Sequence, residues 1–102
     1  MDNLAGIYIK EGKLAEAEAL QLRALDTFKE VLGADHPDVA ICLDNLADLY
    51  TLEKRYKQAL RRCEDALEIA EKSLGKEHPL SRSIKVRREN LIEKEKAKAA
   101  EL

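Results

Sequence analysis

An all-α solenoid of stacked antiparallel helix pairs, with about five helices, is the fold class this sequence predicts, on three observations. The hexapeptides LGADHP (residues 32–37) and LGKEHP (residues 74–79) lie 42 residues apart. Sliding the chain by that interval makes 13 of the 36 pairs from position 2 to position 37 identical, which marks an internal repeat. Proline occurs only at Pro37 and Pro79 while Ala, Leu, Glu, Lys and Arg dominate, so intrinsic propensity favours helix almost throughout. A fixed period of this size belongs to architectures in which each unit buries its apolar face by stacking on its neighbours.

Apolar residues at helical spacing then place the elements in order. A first helix runs to about Glu11 with Leu4, Ile7 and Tyr8 inward, and Gly12 supplies the left-handed conformation that ends it. A second spans about 14 to 32, with Ala17, Ala24, Leu25, Phe28, Val31 and Leu32 along one stripe and Gly33 after it. In Asp35-His36-Pro37, the proline suits the first helical position and forces an extended N-cap on His36. The third helix follows with Val39, Leu43, Leu46, Ala47 and Tyr50 inward, ending near Glu53. The fourth carries Tyr56, Ala59, Leu60, Cys63, Ala66, Leu67, Ala70 and Leu74, before Gly75 and Pro79 repeat the stop-and-restart signal.

The fifth helix, from about Leu80, departs from the pattern. The 42-residue register puts Arg88 and Glu89 where the earlier units have Leu-Ala, and residues 80–102 hold seven Lys or Arg against four Glu. Ile84, Leu91 and Ile92 leave a thin apolar edge, as expected of a terminal helix that shields the last repeat from water. Residues 93–102 are expected to fray. The organisation predicted is a single domain over 1–102: residues 1–36 as repeat one, truncated at its start, 37–78 as repeat two, and 79–102 as a degenerate third unit or cap.

Composition bounds the function. A net charge of −2 with 37% charged residues gives no general polyanion affinity. No apolar stretch approaches the roughly 20 residues of a membrane span, and the start reads as neither a secretory signal nor a transit peptide, so a cytoplasmic setting is expected. Cys42 and Cys63 lack a CxxC pairing and fall within helical patterns as small buried residues. His36 and His78, in equivalent positions of adjacent repeats, should lie at least about 8–10 Å apart and cannot share a metal. There is no glycine-rich phosphate loop, nucleophile elbow or metal-spaced cluster, so no enzyme, no cofactor and no metal are expected. The basic last helix is interleaved with Glu89, Glu93, Glu95 and Glu101 and holds no aromatic for base stacking, so no nucleic-acid partner is expected.

Leu4-Ala5-x-x-Tyr8, Ala17, Ala24 and Leu46-Ala47-x-x-Tyr50, Ala59, Ala66 resemble the tetratricopeptide repeat, in which small alanines allow two helices to approach closely. The long period, the LGxxHP punctuation and the Asn-Leu-Ala of the first helix look like the kinesin light chain variety. The resemblance covers residues 2–79 and implies a right-handed stack whose first helices line a concave groove. Two departures stand out. Gln21 and Cys63 replace a frequent aromatic, and the first helix begins about four residues late, as in a piece cut from a longer array.

The resemblance implies a protein or peptide ligand in the groove. Residues at about 200° from the inward stripe of the third helix, Ile41, Asp44, Asn45, Asp48, Thr51 and Leu52, would face it, together with Asp2, Asn3, Gly6, Ile9 and Lys10 of the first unit. Asn3 and Asn45 can donate to and accept from a peptide backbone. Asp2, Asp44 and Asp48 make one end acidic and Arg82, Lys85, Arg87 and Arg88 the other basic, which suits a bipolar ligand. Relatives that clamp a terminal carboxylate use Lys and Asn in the first pair; this chain has Asp2 and Gly6 there and Ser83 at a later Lys, keeping only Asn45 and Arg87, so that mode is not expected. The alternative function is a self-assembling or structural fragment of a longer array, pairing as a homo-oligomer through Leu4, Ile7 and the exposed N-terminal edge.

Overall fold

A computed structural model describes residues 13–100. Within them are four helices: α1 Leu14–Leu32, α2 Pro37–Leu52, α3 Tyr56–Leu74 and α4 Pro79–Ala100. The first expected helix, over residues 1–11, lies outside the described residues. Each helix packs on its neighbour in sequence, most extensively α2 on α3, in a slab of 42 × 32 × 19 Å. Its least dimension is about two helix diameters, as a two-layer helical stack requires.

The turns between repeats are built twice in the same way. Gly33 at φ 95° and Gly75 at φ 89°, both with ψ near 155°, occupy a region essentially restricted to glycine, and their N–H groups donate to Lys29 O and Glu71 O at 3.1 and 3.0 Å. Three residues later a histidine caps the next helix. His36 Nδ1 accepts from the Asp38 N–H and His78 Nδ1 from the Leu80 N–H, each at 3.1 Å, with proline at the first helical position. The end of α3 is tied back to the earlier turn, where Lys72 Nζ lies 2.9 Å from Asp35 Oδ2 and the Ser73 hydroxyl donates to the Asp35 carbonyl.

The turn within repeat two is a Schellman closure. Arg55 N–H donates to Tyr50 O at 2.8 Å and Lys54 N–H to Thr51 O at 3.0 Å, with Lys54 left-handed at φ 61°. Lys54 stands 42 residues after Gly12, so repeat two places a lysine where the first unit carries the glycine that suits this conformation. Lys54→Gly is therefore expected to stabilise the chain by about 1 kcal/mol in urea denaturation.

Ala17, Ala24, Ala59, Ala66 and Ala70 are wholly buried, so the alanines stand at the close helix contacts as expected. Gln21 and Cys63, in place of the aromatic, are buried too. Val31 and Leu32 are corrections. They are 72% and 40% exposed, because their position lies at the rim of the hairpin, where the repeat counterpart of Val31 is the exposed Ser73. Nor does α4 fray at residue 93. It stays helical to Ala100, held by the buried Leu91 and by Lys98, whose ammonium donates to Lys54 O at 2.9 Å and lies 5.7 Å from the Tyr56 ring centroid.

α2 is buried on two sides. Besides the inward stripe of Val39, Leu43, Leu46, Ala47 and Tyr50 and the expected burial of Cys42, the structure buries Ala40 and Leu49. The repeat register separates the two faces. In α4 the buried residues are Ser81, Ile84 and Leu91, the counterparts of Val39, Cys42 and Leu49, and α4 packs on α3, the helix before it. That face therefore looks backward to the preceding hairpin. The forward-looking set in α2, namely Ala40, Leu43, Leu46 and Ala47, becomes Arg82, Lys85, Arg88 and Glu89 in α4. α4 thus keeps the face that docks and replaces the other with charge.

Candidate functional site

The outer face of α2 and the adjacent face of α4 frame a cleft of about 340 Å³, lined by Asp48, Thr51, Val86, Arg87, Asn90 and Lys94 among others. Thr51 points its hydroxyl to Ala47 O at 2.7 Å, so it serves its own helix. Ile41 and Leu52 stand exposed on α2 and Val86 on α4, 39%, 51% and 56% accessible. Asn45 is half-buried on the same face of α2 and makes no side-chain hydrogen bond among the described residues.

One guanidinium joins the two walls. Arg87 Nε lies 2.8 Å from Asp44 Oδ1, and Arg87 Nη1 donates to Asp48 Oδ1 at 3.0 Å. Asp44 and Asp48 are four apart on one helix and so share a face. The Asp44 contact is a charge contact without the alignment of a hydrogen bond, since Oδ1 is buried and accepts none. Burial pushes the Asp44 carboxyl above its ordinary value; Arg87 opposes that shift and Asp48 adds to it. Behind the cleft floor the Cys63 thiol donates to Ile84 O at 3.4 Å. Burial, with the Asp44 charge adding, pushes that thiol up to about 11. At neutral pH it is a protonated packing group, since the thiolate is the nucleophilic form.

The expected site residues thus divide into three. Asp2, Asn3 and Lys10 lie outside the described residues. Ile41, Asn45 and Leu52 lie on the outer surface of α2 with unspent surface, but none of them lines the cleft. Asp44, Asp48 and Arg87 are brought together, but onto each other. The charges expected to flank a bipolar ligand at opposite ends are paired across adjacent helices. Arg88 turns from the cleft to α3, its Nε 3.4 Å from Glu64 Oε2. Val86, Asn90 and Lys94 were missed, although the register marks them as counterparts of Asp44, Asp48 and Leu52.

Among the described residues no three His, Cys, Asp or Glu side chains are placed to hold a metal ion, and no helix is long and apolar enough to cross a membrane. Stacked helix hairpins, with buried alanines at the crossings and a side-chain-lined cleft between the first helices of successive units, define a helical repeat protein of the kind that presents a surface to other proteins. The chain belongs to the tetratricopeptide repeat family, whose sequence profile matches residues 1–72, ending in the last turn of α3 and leaving α4 outside. Repeats of this family generally mediate protein–protein interaction. No curated protein sequence matches the chain.

Proposed function

We propose that the chain is an adaptor or scaffold module that holds a peptide or helical segment of a partner protein against the outer face of α2, alongside the cleft that Asp48 and Thr51 frame with α4. The observation that carries this reading is Asn45, an amide with unused donors and acceptor, set between the exposed apolar side chains of Ile41 and Leu52. An amide of that kind can pair with a peptide backbone while the apolar neighbours supply contact area.

The test is capture of partners by the native chain and by the Asn45→Ala, Asp48→Lys variant, with affinities then measured for each protein identified. The expected result is a partner whose affinity falls about 30-fold or more, the equivalent of one hot spot of about 2 kcal/mol, while circular dichroism shows the variant still helical and folded. If every partner binds both forms equally, this face has no ligand, and the reading as a structural fragment of a longer array takes its place.

A further inference from the structure

At the end of the molecule where the α2–α3 turn meets the second half of α4, two further clefts share the Tyr56 side chain. One, of about 360 Å³, is lined by Arg55, Tyr56, Lys57, Glu95 and Lys98 among others. The second, of about 330 Å³, is lined by Lys54, Tyr56, Lys94 and Lys98 with Ala97. Five cations therefore surround one ring, with Glu95 the one acid lining either cleft, in a chain whose net charge is −2. Arg55 is engaged, with Glu53 at 3.0 Å and Glu18 at 3.7 Å and its guanidinium 4.7 Å from the centroid of the Tyr50 ring. Lys98 is engaged with the Lys54 carbonyl. Lys54, Lys57 and Lys94 make no ion pair among the described residues.

We propose that this cationic rim around Tyr56 binds an acidic segment of a partner protein. The argument is charge complementarity. Two cations of α4 are matched by acids on neighbouring helices, Arg87 by Asp44 and Asp48 and Arg88 by Glu64. At the rim Lys54, Lys57 and Lys94 line two clefts that share Tyr56, with no acid paired to them, so they leave an uncompensated positive field there. Carboxylates spaced along a flexible segment can reach the three lysines and pass Glu95 at a distance. The clefts beside Tyr56 are lined by lysine stems, which give such a segment apolar contact as well.

Two other polyanions fit less well. A nucleic acid needs an open aromatic face, and the Tyr56 ring is covered by Lys98 with no second aromatic in either cleft. A membrane surface asks for apolar side chains that insert, and the clefts offer only Ala97 and Ala99 beyond the ring. Lys94 lines the α2–α4 cleft as well, whereas Asn45 lines neither rim cleft, so the proposal does not depend on a ligand at Asn45.

The experiment is fluorescence anisotropy of a labelled peptide of alternating Asp and Gly, titrated with the full chain and with the Lys54→Asn, Lys57→Gln, Lys94→Gln variant. Asn tolerates the left-handed backbone at position 54, and all three side chains are exposed, so the fold should be kept, as circular dichroism would verify. The expected result is binding that weakens as salt is raised and is about tenfold weaker or more in the variant. Asn45→Ala should leave it unchanged. Equal affinity for native and triple variant overturns the proposal, as does loss of binding in Asn45→Ala with none in the lysine variant, which would move the acidic peptide to the outer face of α2. Oligothymidylate or phosphatidylserine vesicles binding as tightly as the peptide would overturn it too, in favour of a nucleic acid or a lipid surface.

Discussion

Leu46→Ala should lower the stability of the chain by about 2–5 kcal/mol, the cost of deleting a wholly buried leucine and leaving a cavity. Leu46 is inaccessible to solvent in α2, the helix that contacts both α1 and α3, so neither neighbour can close the gap without leaving the other. A domain of this size has only about 5–15 kcal/mol in total. The melting temperature, followed by circular dichroism, should therefore fall by roughly 10–30 °C. Two controls define the mechanism. Leu52→Ala, on the same helix but half-exposed, should stay within about 0.5 kcal/mol. Arg88→Ala, at the repeat counterpart of Leu46, should also cost little, because Arg88 is part-exposed and its one ion pair, with Glu64, is open to solvent.

Arg87→Leu should be the largest effect among the polar residues. It leaves the Asp44 carboxylate, 16% exposed, and the more open Asp48, 52% exposed, without their shared cation. Loss of one partner of a fully buried pair costs about 3–5 kcal/mol; here water reaches Asp48 and a third of Arg87, so about 1–2 kcal/mol at neutral pH is expected in urea denaturation. Asp44→Asn in the Arg87→Leu background should recover more than half of it. The pH dependence has a definite sign. Asp44 holds its proton more tightly folded than unfolded, because burial raises its carboxyl, so its contribution is complete below the ordinary carboxylate value and is lost as pH rises through the raised folded one. Without Arg87, the one influence that lowers that value, the raised range extends further upward. The deficit of Arg87→Leu should therefore be small in acid, where Asp44 is protonated in both proteins, and grow to its full size toward neutral pH.

Those two residues also show what could be read from the chain before its structure. Leu46 was legible because its role is local and periodic: one apolar stripe at 3.6 spacing, repeated after 42 residues. The same holds for the glycine-histidine-proline turns, whose chemistry is complete within a few residues, and for the helix limits they set. Arg87 was legible as a groove residue but not as a partner of Asp44 and Asp48. That pairing depends on how closely α4 settles beside α2, which is fixed by Ser81, Ile84 and Leu91 packing on α3 rather than by any local pattern. Ala40 and Leu49 were missed for a related reason. A single inward stripe describes a helix with one neighbour, whereas α2 has two. Val31 failed in the opposite direction, since the apolar periodicity continues to the end of α1 although Val31 itself stands 72% exposed.

The substitution of Arg82, Lys85, Arg88 and Glu89 for a docking stripe has an engineering consequence. A helix laid over that face would have to strip water from charged groups while gaining almost no apolar contact. Any sequence joined after α4, whether a further hairpin, a reporter or a second binding module, therefore inherits no seat on the rod. It behaves as a separate bead on a tether, and its distance from the α2–α4 cleft is governed by the linker rather than by the geometry of the repeats.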